Sequence, residues 1–224
     1  MHRELKISVV IPCYNEEHGV REVIGRMPPV VDEVVVVDNN CTDRTAEVAR
    51  SLGARVVPES TPGYGAAYKA GLRAATGDIV TTLDGDGTYP PEEIPRLVDT
   101  LVAKRWDFLS ASRFPLSDPR AMGLSNRIGN WVLTAAAAVL FFKPIRDSQS
   151  GMWVFRRALL DRLRLTSDGM AFSEEIKLEA LLRGFRFGEA HIPYGVRVGE
   201  VKLQKWRDGM ANLWFLVRKR FAGA

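Results

Sequence analysis

An α/β chain with a doubly wound, mostly parallel sheet and helices on both faces is the fold class this sequence predicts, on three observations. Short β-branched runs alternate with segments of helical periodicity through the first half. One of those runs, EVVVVD at 33–38, is apolar on both faces, as a strand covered on both sides must be. The polar clusters PCYNEE, DNNCTD and DGDGT each follow a strand directly, where sheets of this type bind their ligands.

KISVVIP is the first strand, and it leads into a helix with Val20, Val23, Ile24 and Met27 at helical spacing. Pro28-Pro29 stops that helix, and EVVVVD is the second strand. NNCTDRTAEVARSLG begins with polar capping residues and ends at Gly53, a helix stop. ARVV is a third strand, GYGAAYKAGLRAATG a helix entered through glycine, and DIVTTLD a fourth strand. PPEEIPRLVDTLVAK places Pro91 in a first helical turn and Ile94, Leu97, Val98 and Leu101 on one apolar stripe. The second half is less regular. DFLSASR reads as a strand, Phe114–Gly123 as a loop, and Ser125–Phe142 as a helix. DSQSGMWVF follows, then the helix FSEEIKLEALLRG, the strand FRFGEAHIPYGVRV, and a basic, aromatic helix from about Lys205 to Phe221.

With 224 residues, 46% of them hydrophobic and 26% charged, the chain suits one domain with one sizeable core. The net charge of +4 fits a solvated surface and equally an anionic ligand or membrane; no nucleic-acid partner is expected. Cys13 and Cys41 make neither a disulfide framework nor a metal-ligand pattern, and MHRELKISVV carries no secretory signal, so a cytoplasmic protein is expected. The longest apolar run, Trp131–Phe142, falls short of the roughly 20 residues a membrane span needs.

The segment TTLDGDGTYPP holds two carboxylates, Asp84 and Asp86, at a strand end between glycines. They can converge on a hard divalent cation once the strand gives way to a turn; equally, Asp-Gly is a turn dipeptide. Tyr14 fits a stacking contact or a packed core aromatic, and Glu16 a ligand contact or a first-turn acid favoured by the helix dipole. Gly63 and Gly65 are turn glycines that would also let the backbone approach a ligand.

VVIPCYNEE, VVVVDNNCTDRTAEVA, GYGAAYKAGLRAATGD and TLDGDGTYPPEEI resemble, in order and spacing, family 2 glycosyltransferases of the GT-A fold. DSQSGMWVFRR, FSEEIKLEALLRGFRFGEAHIPY and RVGEVKLQKWRDG are similar to the polyprenyl-phosphate sugar synthases of that family, such as the dolichyl-phosphate mannose synthases. The resemblance implies one GT-A domain over 1–224, with a nucleotide-sugar half at 1–112 and an acceptor half at 113–224. It implies that Pro12, Tyr14, Glu16 and Asp38 hold the nucleotide, with Gly63 beside them. Asp84 and Asp86 match the motif that binds diphosphate through Mg²⁺ or Mn²⁺. Thr88 stands where the synthases often carry a metal-binding glutamine, and Asn39-Asn40-Cys41 replaces the usual Asp-Gly-Ser. Arg113, Arg127 and Arg197 match acceptor-phosphate positions, and Val201 stands where a serine is common.

The activity implied is inverting, metal-dependent transfer of a hexose from a UDP- or GDP-linked sugar to a polyprenyl (dolichyl or undecaprenyl) phosphate. A phosphate acceptor is already anionic and needs cations more than a base. A hydroxyl acceptor would require a carboxylate base, for which Glu175, in the acidic pair with Glu174, and Asp147 are the candidates. A module that binds nucleotide sugars without turnover is a third reading. A nucleotidyltransferase ranks last, because no Gly-rich, basic-ended loop lies near the amino terminus to cradle a triphosphate. Two segments suit a peripheral position on the cytoplasmic face of a membrane: Trp131–Phe142 and the tail from Lys202 to Arg220. That tail interleaves Trp206, Trp214 and Phe215 with Lys205, Arg207, Arg218 and Lys219. An amphipathic helix packed on the sheet would show the same pattern.

Overall fold

A computed structural model describes residues 4–198 and 205–221. Strands β1 (Ile7–Cys13), β2 (Glu33–Asp38), β3 (Arg55–Pro58), β4 (Ile79–Thr82), β5 (Phe108–Ser112), β6 (Trp153–Arg156) and β7 (Phe187–His191) form one sheet in the order β3-β2-β1-β4-β6-β5-β7. All neighbours run parallel except β6, which is antiparallel to both β4 and β5. The helices are α1 (Glu17–Gly25), α2 (Thr45–Ser51), α3 (Tyr64–Ala74), α4 (Ile94–Ala103), α5 (Leu124–Phe141), α6 (Phe172–Leu182) and α7 (Lys205–Phe221).

Strand alternation splits the apolar residues between two faces. Val9 and Ile11 of β1 join α1, α2 and α4 in one core, whereas Val10 of β1 and Val35 and Val37 of β2 meet α3 and α6 in the other. Both faces are thereby covered, which is why β2 carries no polar residue between Glu33 and Asp38. A third cluster joins Leu133, Ala137 and Phe141 of α5 to Leu178 of α6 and Leu216 of α7.

The strand expected over FRFGEAHIPYGVRV is shorter in the structure, ending at His191. Beyond it Pro193 has no N–H to offer a ladder. The chain turns instead toward the aspartate loop, where Gly195 N donates to Thr88 O (2.8 Å) and Val198 N to Asp86 O (2.9 Å). From β1 the chain winds outward to β2 and β3, then returns to β4 on the other side of β1. The gap between β1 and β4 is therefore a topological switch point, and the loops that follow these strands open there.

Candidate active site

Three loops meet at this switch point, and polar side chains knit them together. After β1, Asn15 adopts a left-handed conformation (φ 54°), and its side-chain oxygen accepts from Thr42 N at 2.7 Å, binding the first loop to the second. After β2, Asn39 donates to Glu59 O and Thr61 O (2.9 and 2.7 Å) and accepts from Gly63 N (3.0 Å), which fixes the entrance of α3. Gly63 itself has φ 138°, a conformation hostile to side chains, and an added Cβ would lie 2.2 Å from Asp168 O. Asp38 turns its carboxylate onto Cys41 N (2.9 Å), closing its own loop. Burial pushes the Cys41 thiol up to about 11, which favours its protonated form.

Among the described residues the loops enclose a cavity of about 500 Å³ and a second of about 290 Å³. Pro12, Tyr14, Glu16, Asn39 and Gly63 line the larger, with Tyr14 52% exposed on its rim, so Tyr14 is not a packed core aromatic. Asp38 is not among the residues lining it; Asn39 and Asn40 take that place. Arg113, Thr88, Tyr89, Gln149, Tyr194 and Asn212 line the smaller. Tyr64, Asp84, Asp86 and Arg197 line both, and so form the wall where the cavities meet.

Asp84 Oδ1 accepts from the hydroxyls of Tyr64 (3.0 Å) and Tyr68 (3.2 Å), which stand one turn apart on α3. Room for this cluster comes from Gly151, where a Cβ would fall 2.5 Å from the Tyr64 hydroxyl. Desolvation, then the charge of Asp86, push the Asp84 carboxyl up to about 7, against the pull of the two phenols. Asp86 is nearly buried. Its Oδ1 accepts from Thr88 N (3.0 Å) and Thr88 Oγ1 (2.6 Å), and its Oδ2 from Arg197 Nη1 (2.7 Å). Thr88, expected among the metal ligands, is thus a buttress that orients Asp86.

A divalent metal suits this donor set. Two carboxylates are hard oxygen groups of the kind Mg²⁺ and Mn²⁺ take, and the Arg197 guanidinium already lies as a cation on Asp86 and Glu16. No three His, Cys, Asp or Glu among the described residues are grouped to hold a metal by themselves. Asp84 and Asp86 would hold it on the protein side, and a diphosphate and water would complete its shell.

On the acceptor side the expectations divide. Arg113 is buried at the second cavity. Its guanidinium is forked onto Asp147 (2.8 and 2.7 Å) and reaches Asn130 Oδ1 (3.1 Å). Burial would raise the Asp147 pKa, but the Arg113 charge and hydrogen bonds outweigh it and hold the carboxyl below its ordinary range. Asp147 is fully buried, lines neither cavity, and is corrected from base to anchor for Arg113. Glu175 is corrected likewise. Its oxygens accept from Thr166 N, Thr166 Oγ1 and Ser167 N (2.9, 2.8 and 2.9 Å). They thereby fasten the loop whose Asp168 carbonyl accepts from Gly65 N and Ala66 N at the start of α3. Arg127 is exposed on α5 and lines neither cavity; Val201 and Lys202 lie outside the described residues.

Sequence reasoning missed Tyr64, Tyr68 and Gln149, while Asn39 was marked only through the Asn39-Asn40-Cys41 replacement. The tyrosine pair had a signal in its i, i+4 spacing just ahead of the aspartate strand; Gln149 had none, since amides are common in loops.

The family model described as Glycosyl transferase family 2 matches residues 8–164. The chain is 35% identical to a dolichyl-phosphate hexose transferase of Haloferax volcanii, over 92% of this chain and 90% of that one. It is 26% identical to a dolichol-phosphate mannosyltransferase of Pyrococcus furiosus over 89% of its own length but only 60% of that protein's. Among solved structures, glucosyl-3-phosphoglycerate synthase of Mycobacterium tuberculosis, in complex with Mn²⁺, UDP and glucosyl-3-phosphoglycerate, superposes with a TM-score of 0.76 at 25% identity. That match covers 99% of this chain and 81% of the synthase. The matched range contains the three loops that follow β1, β2 and β4, and the chain belongs to glycosyl transferase family 2, as a glycosyltransferase of the GT-A fold.

Proposed function

We propose that this glycosyltransferase moves a hexose from a nucleoside-diphosphate sugar to a polyprenyl phosphate, with inversion and with the help of Mg²⁺ or Mn²⁺. The observation that carries the proposal is the pair of cavities meeting at Asp84, Asp86 and Arg197, with residues of α5 and α7 lining the second. The larger holds the nucleotide against Tyr14, Glu16 and the Asn39 loop. Asp84 and Asp86 take the diphosphate end, where a bound divalent ion would supply positive charge to the leaving group. Arg113 and Arg197 hold the acceptor phosphate in the smaller cavity, so that its oxygen approaches the sugar carbon from the side opposite the diphosphate. On this division residues 1–112 supply most of the donor side and 113–224 most of the acceptor side.

An anionic phosphate needs no base, and the two carboxylates a hydroxyl acceptor would use, Asp147 and Glu175, are occupied elsewhere. That placement favours phosphate over hydroxyl. The lipid part of the acceptor is supported by the outer faces of α5 and α7. Trp131 is 71% and Trp206 88% exposed, and Phe142, Trp214 and Phe221 are exposed beside Arg207, Arg218 and Arg220. Lys219 does not join that set, being buried on Glu179 (2.8 Å). No helix among the described residues is long and apolar enough to cross a membrane; on this reading the face rests on a bilayer surface as a peripheral contact, and the cytoplasmic side is part of the proposal. A small soluble phosphate ester is the second reading, on the likeness to a synthase whose complex holds glucosyl-3-phosphoglycerate. The purified protein with Mn²⁺, labelled UDP- or GDP-sugars and dolichyl or undecaprenyl phosphate should give an organic-extractable sugar lipid. Label reaching only water-soluble phosphate esters would select the second reading, and no transfer from any sugar to either acceptor would reject both.

A further inference from the structure

Arg197 stands in the wall common to both cavities. Its Nη1 donates to Asp86 Oδ2 at 2.7 Å and its Nη2 to Glu16 Oε1 at 2.5 Å, so one guanidinium links the acids that follow β4 and β1. Its third donor, Nε, is buried and has no hydrogen-bond partner among the described residues. This is a divided arrangement, one contact to each of two carboxylates with a donor idle, and not the two-pronged fork arginine makes on a single carboxylate or phosphate. Arg113, which also lines the smaller cavity, shows the fork on Asp147.

The Asp86 oxygen that holds Arg197 belongs to one of the two carboxylates that would hold a divalent metal. Thr88 occupies the other oxygen twice over. A metal on Asp86 and a guanidinium 2.7 Å from one of its oxygens would be two cations on one nearly buried group, and their repulsion is strong where water is scarce. We propose that Arg197 is an exchangeable internal cation. It neutralises Asp86 and Glu16 while no metal is bound, and metal binding drives its side chain off Asp86 toward the smaller cavity. There all three of its donor groups become available to an acceptor phosphate. Only that last step rests on the function proposed above; the exchange at Asp86 stands on the contacts themselves.

A fixed structural clamp would behave in the opposite way. If Arg197 merely braced the aspartate loop, its removal would loosen Asp86 and weaken metal binding. If it competes with the metal, its removal strengthens metal binding, because two ligands that exclude each other are linked reciprocally. The measurement is the affinity of the full chain for Mn²⁺ alone, from the electron paramagnetic resonance of free Mn²⁺, without nucleotide. Arg197→Met keeps the stem and removes the charge, and it should bind Mn²⁺ about tenfold more tightly than the wild type. Arg197→Lys, which can reach only one of the two acids at a time, should fall between. Equal or weaker binding by Arg197→Met overturns the proposal. Should that variant fail to fold, Glu16→Gln frees one of the two tethers and leaves both aspartates intact; it should tighten Mn²⁺ binding by about threefold, and no change in it overturns the proposal as well. Farnesyl phosphate separates this inference from the acceptor reading. Mn²⁺ with UDP should strengthen its binding to the wild type. If farnesyl phosphate never binds while Arg197→Met still gains affinity for Mn²⁺, the lipid-phosphate reading fails and the cation exchange stands.

Discussion

Glu174 and Glu175 are adjacent on α6 and both fully buried, yet their surroundings differ. Glu175 receives two backbone N–H groups and a hydroxyl, with both of its oxygens engaged. Glu174 receives one amide from Gln149 at 2.8 Å, and its other oxygen is buried without a partner among the described residues. Desolvation pushes Glu174 up to about 8, against smaller opposing effects from Gln149 and Lys177. Its folded pKa lies above the ordinary 4.5, so the native state holds a proton that the unfolded chain has released. Glu174 therefore contributes stability at low pH that is lost as pH rises toward 8. Glu174→Gln removes the titration. Urea unfolding at pH 5 and pH 7 should show the variant gaining about 2–3 kcal/mol on the wild type over that interval. A difference between the two proteins that does not change with pH would mean that Glu174 is ionised throughout.

Among the elements, α5 and α7 serve two faces at once. Their inner sides pack through Leu133, Ala137, Phe141 and Leu216, and residues such as Asn130 and Asn212 line the smaller cavity. Their outer sides leave Trp131, Val139, Trp206 and Trp214 in solvent, which the packing of a water-soluble surface does not require. If these faces lie on lipid, the protein should sediment with vesicles containing anionic phospholipid, and raising the salt should weaken that binding through the exposed arginines. Replacing Trp131 and Trp206 together by serine should reduce binding at least about tenfold, since each indole contributes apolar area as well as an interfacial anchor. Unchanged sedimentation of the double variant would rule out these two indoles as the lipid contact, and a wild-type protein that stays in the supernatant would remove the membrane from the picture. The helices themselves were legible, because α4 carries its Ile94, Leu97, Val98, Leu101 stripe and α7 its basic-aromatic alternation openly. Their orientation was not. An amphipathic helix on the sheet and one facing lipid share a pattern, and only the identity of the buried residues separates them.

For the whole molecule, placing three loops at one switch point makes binding and stability one problem. The larger cavity is walled by segments from β1, β2, β4 and the stretch before α7, so a ligand there bridges parts far apart in sequence. A UDP- or GDP-sugar of the right kind with Mn²⁺ should raise the melting temperature, and by more than nucleotide or metal alone, because the ligand binds only the folded form. Equal shifts with and without Mn²⁺ would argue that the aspartates hold no metal. The sequence by itself determined the fold class, the strand ends as the place where the polar loops gather, and Asp84 and Asp86 as candidates there, which the structure sets in the wall common to both cavities. All three follow from local signals: alternation, two-faced apolar strands, and turn residues beside acids. Only the tertiary structure decided that β6 runs against its neighbours, that Asp147 and Glu175 turn away from the cavities, and that Arg197 lies on Asp86. Those outcomes depend on which partner a charged side chain finds across more than a hundred residues of chain, as Arg197 and Asp86 do. A buried charge takes the partner that the packing brings within reach, and spacing along the sequence does not record that.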